Sequence, residues 1–221
     1  MNDTNSAARD LIVTTARALD AAGLMPNKSG NVSCRDGDSF LVTPSGVPYV
    51  TLEAAQVVRV APDGGTEPGA PRPSSEWRLH AAIYAARADA QAIVHTHSPM
   101  ATALACAGLP LPAFHYMIAL AGGDVRCAPY ATFGTEELAR HAVAGLVGRR
   151  AVLLANHGVV AIGPSLEAAT AVALEVENMS SQYLALRAAG LEPRALDLAE
   201  LDTVMRKFGD YGRPVPDPGT C

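Results

Sequence analysis

Two histidines, His95 and His97, lie two residues apart at the end of the apolar run Ala92, Ile93, Val94. A third, His157, stands between Asn156 and Gly158, just beyond a second apolar run at 151–154. Strand side chains alternate, so two histidines at that spacing share one face. A tight bend around Gly158 can aim the third imidazole inward. Three neutral nitrogen donors suit a borderline divalent ion such as zinc and leave a position open for substrate. A lone histidine is more often a satisfied core or surface residue. The paired spacing, repeated after a second strand, is what points to a metal.

Pro73, Ser74, Ser75 and Glu76 open a helical stretch. Free backbone N–H groups and two hydroxyls at a helix start can bind an anion. A serine cap followed by an acid in the first turn explains the same residues without any ligand. Glu76 is placed to act as a base or as a further metal ligand. Ser29, Gly30, Asn31 and Thr43, Pro44, Ser45, Gly46 form two more small-residue loops. Each alone is an ordinary turn; three of them beside a metal-ligand set suggest a phosphate cradle. None is a Walker loop or a dinucleotide fingerprint, so no nucleotide is implied.

The elements that must position these groups alternate between helix and strand. Helical spacing marks 6–23, with Leu11, Ile12, Thr15, Ala18 and Leu19 along it, and 76–87, with Trp77, Ala81, Tyr84 and Ala85 on one face. Further helices are expected from Pro99, over 135–146 with Thr135 as its cap, over 166–186 and over 198–208. Strands are expected at 32–34, 39–43, 56–61, 92–97, 151–154 and 159–162. The pattern is that of one α/β domain spanning 1–221, with no repeat and no internal boundary. A tail from about 209 carries prolines and is expected to be irregular and mobile.

The 221 residues are 49% hydrophobic but only 5% aromatic, so the core must be built from Ala, Val, Leu and Ile. A net charge of −5 with interspersed signs argues against nucleic-acid or anionic-membrane surfaces. It leaves room for a small phosphorylated substrate. Residues 1–9 lack a signal-peptide pattern and no apolar run reaches membrane-spanning length, so a cytoplasmic protein is expected. Cys34, Cys106, Cys127 and Cys221 form no Cys-x-x-Cys pair and read as reduced thiols.

Taken in order, Ser29 to Ser33, Thr43 to Gly46, Pro73 to Glu76, His95 to His97, His115 to Ile118, Ala128 to Thr135 and Asn156 to Gly158 resemble the class II aldolase/epimerase family. The resemblance covers nearly the whole chain. It implies a three-layer α/β/α domain with a central, mostly antiparallel sheet, and one zinc ion per subunit. His95, His97 and His157 match the zinc ligands. Glu76 matches the acid that contacts zinc in the empty enzyme and then serves as proton-transfer base. Asn31, Ser45, Gly46, Ser74 and Ser75 match the phosphate pocket. Tyr116 matches a proton donor contributed by a neighbouring subunit, and Tyr211 one that closes over the substrate near the chain end. The family assembly is a C4 homotetramer. Lys28 departs from the family's small hydroxyl residue.

The resemblance implies retro-aldol cleavage of a ketose 1-phosphate to dihydroxyacetone phosphate and a small aldehyde, fuculose 1-phosphate giving lactaldehyde. Related enzymes take 5-deoxy- or 5-methylthio-pentulose 1-phosphates. A base working near neutral pH would benefit from a raised pKa at Glu76. A pentulose 5-phosphate epimerase of the same family is disfavoured, because it typically carries Asp at position 76 and an acidic donor near Tyr116. A sugar-acid phosphate decarboxylase could reuse the same pocket. A non-catalytic scaffold should have lost ligands that this chain keeps.

Overall fold

The computed structural model describes residues 3–210. Its centre is a seven-stranded sheet in the order β3-β2-β1-β4-β7-β6-β5. The strands are β1 (Asn31–Asp36), β2 (Ser39–Val42), β3 (Val58–Val60), β4 (Ala92–Thr96), β5 (Arg126–Ala128), β6 (Ala151–Leu154) and β7 (Gly158–Gly163). Every pairing is antiparallel except β5 with β6. The helices are α1 (Asp3–Ala21), α2 (Trp77–Ala86), α3 (Pro99–Cys106), α4 (Glu136–Gly145), α5 (Leu166–Ala188) and α6 (Leu198–Asp210).

Strand alternation sends successive residues to two cores. Val32, Leu41, Val94, Leu153 and Val159 pack with Ile12, Leu104, Val172 and Val176 of α1, α3 and α5 on one face. Phe40, Val42, Ile93, Val152, Val160 and Ile162 pack with Leu79, Ile83, Leu138 and Ala142 of α2 and α4 on the other. The central strands β4 and β7 are buried throughout, as strands covered on both faces must be. This is the expected three-layer arrangement.

Several local expectations shift. The buried face of α1 is Ile12, Val13, Ala16 and Leu19, while Leu11 is exposed. In α2 the buried residues are Leu79, His80, Ile83 and Tyr84 rather than Trp77, Ala81 and Ala85. An apolar pattern skips a histidine, so the stripe was placed one step around the helix. Strand β5 and a 3-10 segment, Tyr116–Ala121, escaped the sequence reading because each is short and depends on tertiary pairing. Thr135 does cap α4, accepting from the Leu138 N–H at 3.2 Å. Helix α6 runs to Asp210, past the expected start of an irregular tail. Tyr211 and the rest of the chain end lie outside the described residues, as does Cys221. The other cysteines are free thiols. Among the described residues, no helix is long and apolar enough to cross a membrane.

Gly30 leads into β1 with φ +81°, and a Cβ there would lie 2.5 Å from the His95 carbonyl oxygen. Both the backbone conformation and the close approach of β1 to β4 therefore require glycine. Gly30→Ala should lower stability by about 2–4 kcal/mol. Urea denaturation reads this directly, and an unchanged midpoint would show that the strands can part at that point.

Candidate active site

His95 occupies β4 beside Asn31 of β1 and Val160 of β7, on the face that carries α2. Strand β4 ends at Thr96, one residue earlier than expected, but His97 still returns to the same side, its N–H bonded to the Leu24 carbonyl at 3.1 Å. His157 lies in the turn between β6 and β7, where Asn156 takes a left-handed conformation with φ 54°. Gly158 follows because the turn presses on β4: a Cβ there would lie 2.4 Å from the Thr96 carbonyl oxygen and 3.1 Å from the His97 ring. The three rings sit nearly edge to face, each pair of centroids 4.9 Å apart.

Glu76 completes the cluster from the start of α2. It is the residue that caps the helix, but its side chain makes no capping bond. Instead the Ser74 hydroxyl accepts from the Glu76 N–H at 3.2 Å, and the carboxylate turns toward the histidines. Oε2 lies 3.1 Å from His95 Nε2 and Oε1 lies 3.3 Å from His157 Nε2, while His95 and His97 Nε2 are 3.1 Å apart. All four ligand atoms fall within 4.8 Å of one another.

Donor chemistry and spacing fit a divalent ion. Tetrahedral zinc with bonds of roughly 2.1 Å sets its ligands about 3.4 Å apart, close to the observed separations. Glu76 Oε1 is buried without a hydrogen bond: its contact with His157 has ion-pair distance but lacks bonding geometry. A buried carboxylate oxygen aimed at imidazole nitrogens is what a cation would satisfy. The His95 Nδ1–H donates to the Val159 carbonyl at 2.9 Å, which leaves Nε2 free to ligate. These four side chains could therefore hold a metal.

The charges are coupled. Burial would raise the Glu76 carboxyl, but the charges and hydrogen bonds of His95, together with His157 and Asn31, outweigh it and hold the group well below the usual carboxylate range. An acid facing these imidazoles is favoured in its ionised form. Burial lowers His95, and the Glu76 carboxylate more than offsets this, so the net shift is upward. Burial and the neighbouring histidines push His97 down to about 3 and His157 down to about 4. Neutral imidazoles are the ligating form.

A cavity of about 300 Å³ opens over this cluster. Lys28, Gly30 and Asn31 line it from the first loop, Ser45 and Gly46 from the second, and Ser74 and Ser75 from the third. The loops are tied together: Pro44 and Pro73 form a β-bridge, and the Ser74 N–H donates to the Thr43 carbonyl at 3.1 Å. The start of α2 adds its positive dipole end. Tyr130, Ala131 and Phe133 form an aromatic and apolar rim. The structure thus brings together every expected residue of the metal cluster and phosphate cradle. Lys28, set aside in the sequence reading, joins the lining. It does not bring Tyr116 into this cavity; that exposed ring stacks on Phe208 of α6, centroids 6.3 Å apart.

Sequence reasoning missed three buried polar residues behind the site. Asn31 Nδ2 donates to Glu76 Oε2 at 3.0 Å. His80 bonds through Nε2 to Asn31 Oδ1. Ser33 Oγ lies 2.6 Å from His80 Nδ1 and 2.8 Å from the Tyr84 hydroxyl. The overlooked signal was a pair of polar periodicities: Asn31, Ser33 and Arg35 at strand spacing, and Glu76, His80 and Tyr84 at helical spacing.

The fold and site define a three-layer α/β domain whose Glu and His cluster could hold a metal beside a polar cavity, and comparison with known proteins specifies the kind. Residues 10–184 match the family described as Class II Aldolase and Adducin N-terminal domain. The chain is 47% identical over 208 residues to a 5-methylthioribulose-1-phosphate/5-deoxyribulose-1-phosphate aldolase of Rhodospirillum rubrum, covering 93% of each. It is 43% identical over 209 residues to an L-fuculose phosphate aldolase of Escherichia coli, covering 94% of this chain and 96% of that one. A solved structure of L-fuculose 1-phosphate aldolase matches with TM-score 0.88 at 39% identity, covering 91% of this chain and 96% of that chain. The chain belongs to the class II aldolase family, and its class of activity is that of an aldolase, a lyase.

Acid should weaken this fold. Burial, then the neighbouring His95, pushes His80 down to about 3, with Glu76 opposing. The unfolded chain takes up that proton below the ordinary value of about 6.5. Between those two values the unfolded state binds more protons, so stability rises with pH and is lost as pH falls from about 6.5 toward 3. His97 and His157 add in the same direction and together with His80 outnumber His95, whose upward shift opposes them. The urea midpoint should therefore drop between about pH 7.5 and about pH 5. A flat midpoint would mean that these imidazoles titrate in the folded protein as they do in water.

Proposed function

We propose that the chain cleaves a ketose 1-phosphate between C3 and C4, giving dihydroxyacetone phosphate and a small aldehyde, with zinc held by His95, His97, His157 and, before substrate arrives, Glu76. The observation that carries this reading is the meeting of a three-histidine, one-carboxylate cluster with a serine- and glycine-lined cavity. When bound, the ion would supply Lewis-acid stabilisation of charge developing on the C2 oxygen.

The chain's own residues do the rest. Ser45, Gly46, Ser74, Ser75 and Asn31 bind the phosphate, and the positive dipole end of α2 favours its charge. That remote binding energy orients the reacting carbons. Glu76, turned away as substrate enters from the imidazoles that keep it ionised, takes up a proton from solvent and delivers it to the C3 carbon in cleavage, and removes that proton in synthesis. Cleavage also requires loss of the proton on the C4 hydroxyl, a role for Tyr116 of a second subunit, with Tyr211 closing over the substrate. Tyr116 lies away from its own chain's cavity, and this supports active sites shared between subunits of a homotetramer.

The rim formed by Tyr130 and Phe133 suits an aldehyde ending in an apolar group. 5-Methylthio- and 5-deoxyribulose 1-phosphate would leave such fragments, and the Rhodospirillum relative is named for them. Fuculose 1-phosphate, leaving lactaldehyde, is the second reading, supported by the relative at 43% identity.

A cleavage assay across these three substrates, with and without a chelator, tests the proposal. Dihydroxyacetone phosphate should appear, cease on metal removal and return with zinc. No dihydroxyacetone phosphate from any of the three, with C4 inversion of a pentulose 5-phosphate assayed beside them, would instead identify an epimerase. His97→Ala should lose the bound ion, as metal analysis would show. Glu76→Gln should retain the ion and lose roughly 10²- to 10⁴-fold in turnover; turnover close to wild type would remove Glu76 from the proton-transfer step.

A further inference from the structure

Behind the cavity, a polar seam runs between β1 and α2. Asn31, Ser33 and Arg35 project from alternate positions of the strand, and Glu76, His80 and Tyr84 from successive turns at the start of and along the helix. Asn31, Ser33 and His80 are 3%, 0% and 0% exposed, and of the three only Asn31 reaches the cavity. The seam ends where Arg35 places its guanidinium 4.7 Å from the Tyr84 ring and donates to the Tyr84, Arg87 and Ala90 carbonyls at the end of α2.

The direction of every hydrogen bond in this seam follows from one end. The Glu76 carboxylate only accepts, so the Asn31 amide must present Nδ2–H to it, at 3.0 Å. Asn31 Oδ1 then faces His80 Nε2, which must carry the proton. A neutral imidazole protonated at Nε2 has a bare Nδ1, so the Ser33 hydroxyl, 2.6 Å away, donates to it. Ser33 Oγ can then accept the Tyr84 hydroxyl proton at 2.8 Å. Burial pushes His80 down to about 3, which agrees with the neutral form. Phe40 lies nearly parallel to the His80 ring, 13° apart, and limits its rotation.

We infer that His80, carrying its proton on Nε2 and accepting at Nδ1 from Ser33, is a positioning residue that holds the N–H₂ end of the Asn31 amide toward Glu76. Were the imidazole to carry its proton on Nδ1, the bare Nε2 would call for the amide N–H₂ on its side. Asn31 Oδ1 would then face the Glu76 carboxylate, an acceptor against an acceptor. The seam thus holds an N–H donor at the carboxylate and, because Asn31 also lines the cavity, at the bound substrate. This inference rests on the proposed roles of Glu76 and Asn31, but the tautomer itself can be read without turnover.

The test uses the full chain loaded with zinc. Nitrogen-15 spectra of the histidine side chains should show His80 protonated at Nε2 and bare at Nδ1, the signal being assigned by its loss in His80→Leu. A proton on Nδ1, or on both nitrogens, would overturn the inference. His80→Leu should lower turnover about 10- to 100-fold, the worth of one hydrogen bond to a charged group, with zinc content retained. His80→Gln, whose amide N–H₂ can donate to Asn31 Oδ1, should recover most of that loss. In an Asn31→Ala background, His80→Leu should change turnover by less than about twofold, because its effect passes through the amide. Equal losses in the Leu and Gln variants, or an undiminished loss without Asn31, would show a merely structural histidine. If the wild-type protein cleaved no ketose phosphate, the proposed reaction would fall, and the spectrum alone would decide the seam.

Discussion

A carboxylate buried at the start of a helix is an expensive thing to fold around. Glu76 is 6% exposed, and its charge survives only because His95, His157 and Asn31 face it. Taking a carboxylate out of water without such partners would neutralise it or unfold the helix start. Much of the surrounding architecture answers to that requirement. Strand β4 delivers His95, the β6–β7 turn delivers His157, β1 delivers Asn31, and the Ser74 hydroxyl holds the backbone that turns the carboxylate inward. A cation among the same groups would answer the same need, with Oε1 supplying the unpaired acceptor.

The sheet order makes this convergence possible. Strands β1, β4 and β7 lie side by side, with Asn31, His95 and Val160 in register. Two glycines remove the last steric obstacles: Gly30 lets the first loop close on the His95 carbonyl, and Gly158 lets the histidine turn close on Thr96. Three small-residue loops line one cavity around them, while helix α2 sets its dipole behind them. Asn31, which lines the cavity, and Glu76, which faces the histidines, are thereby joined through the strand and helix that carry them.

Much of this was legible in the chain before folding. The His95/His97 spacing, the bend before Gly158 and the serines ahead of Glu76 each implied their chemistry from residue type and period. The layered α/β arrangement followed from alternating helix and strand patterns. What was misplaced had a common cause. The buried face of helix α2 differs from the expected one, Tyr84 apart, because His80 enters the core through hydrogen bonds, which an apolar count does not register. Strand β5 was missed because three residues carry too little pattern without the partner strand β6. The charge on Glu76 was not legible in the sequence, because the imidazole charges that hold it depend on distances.

By itself, then, the order of residues determined the ligand types, the small-residue loops and the alternation that sorts side chains to two faces. Those are local properties, written in periods of two and about 3.6 residues. Only tertiary structure decided that residues 31, 76, 95, 97 and 157 share one site, because β1, β4 and β7 pair across long stretches of chain. It also decided the charge on Glu76 and the hydrogen-bond direction through Asn31 and His80. Those are set by separations near 3 Å between groups distant in sequence, such as the 3.0 Å contact of Asn31 with Glu76.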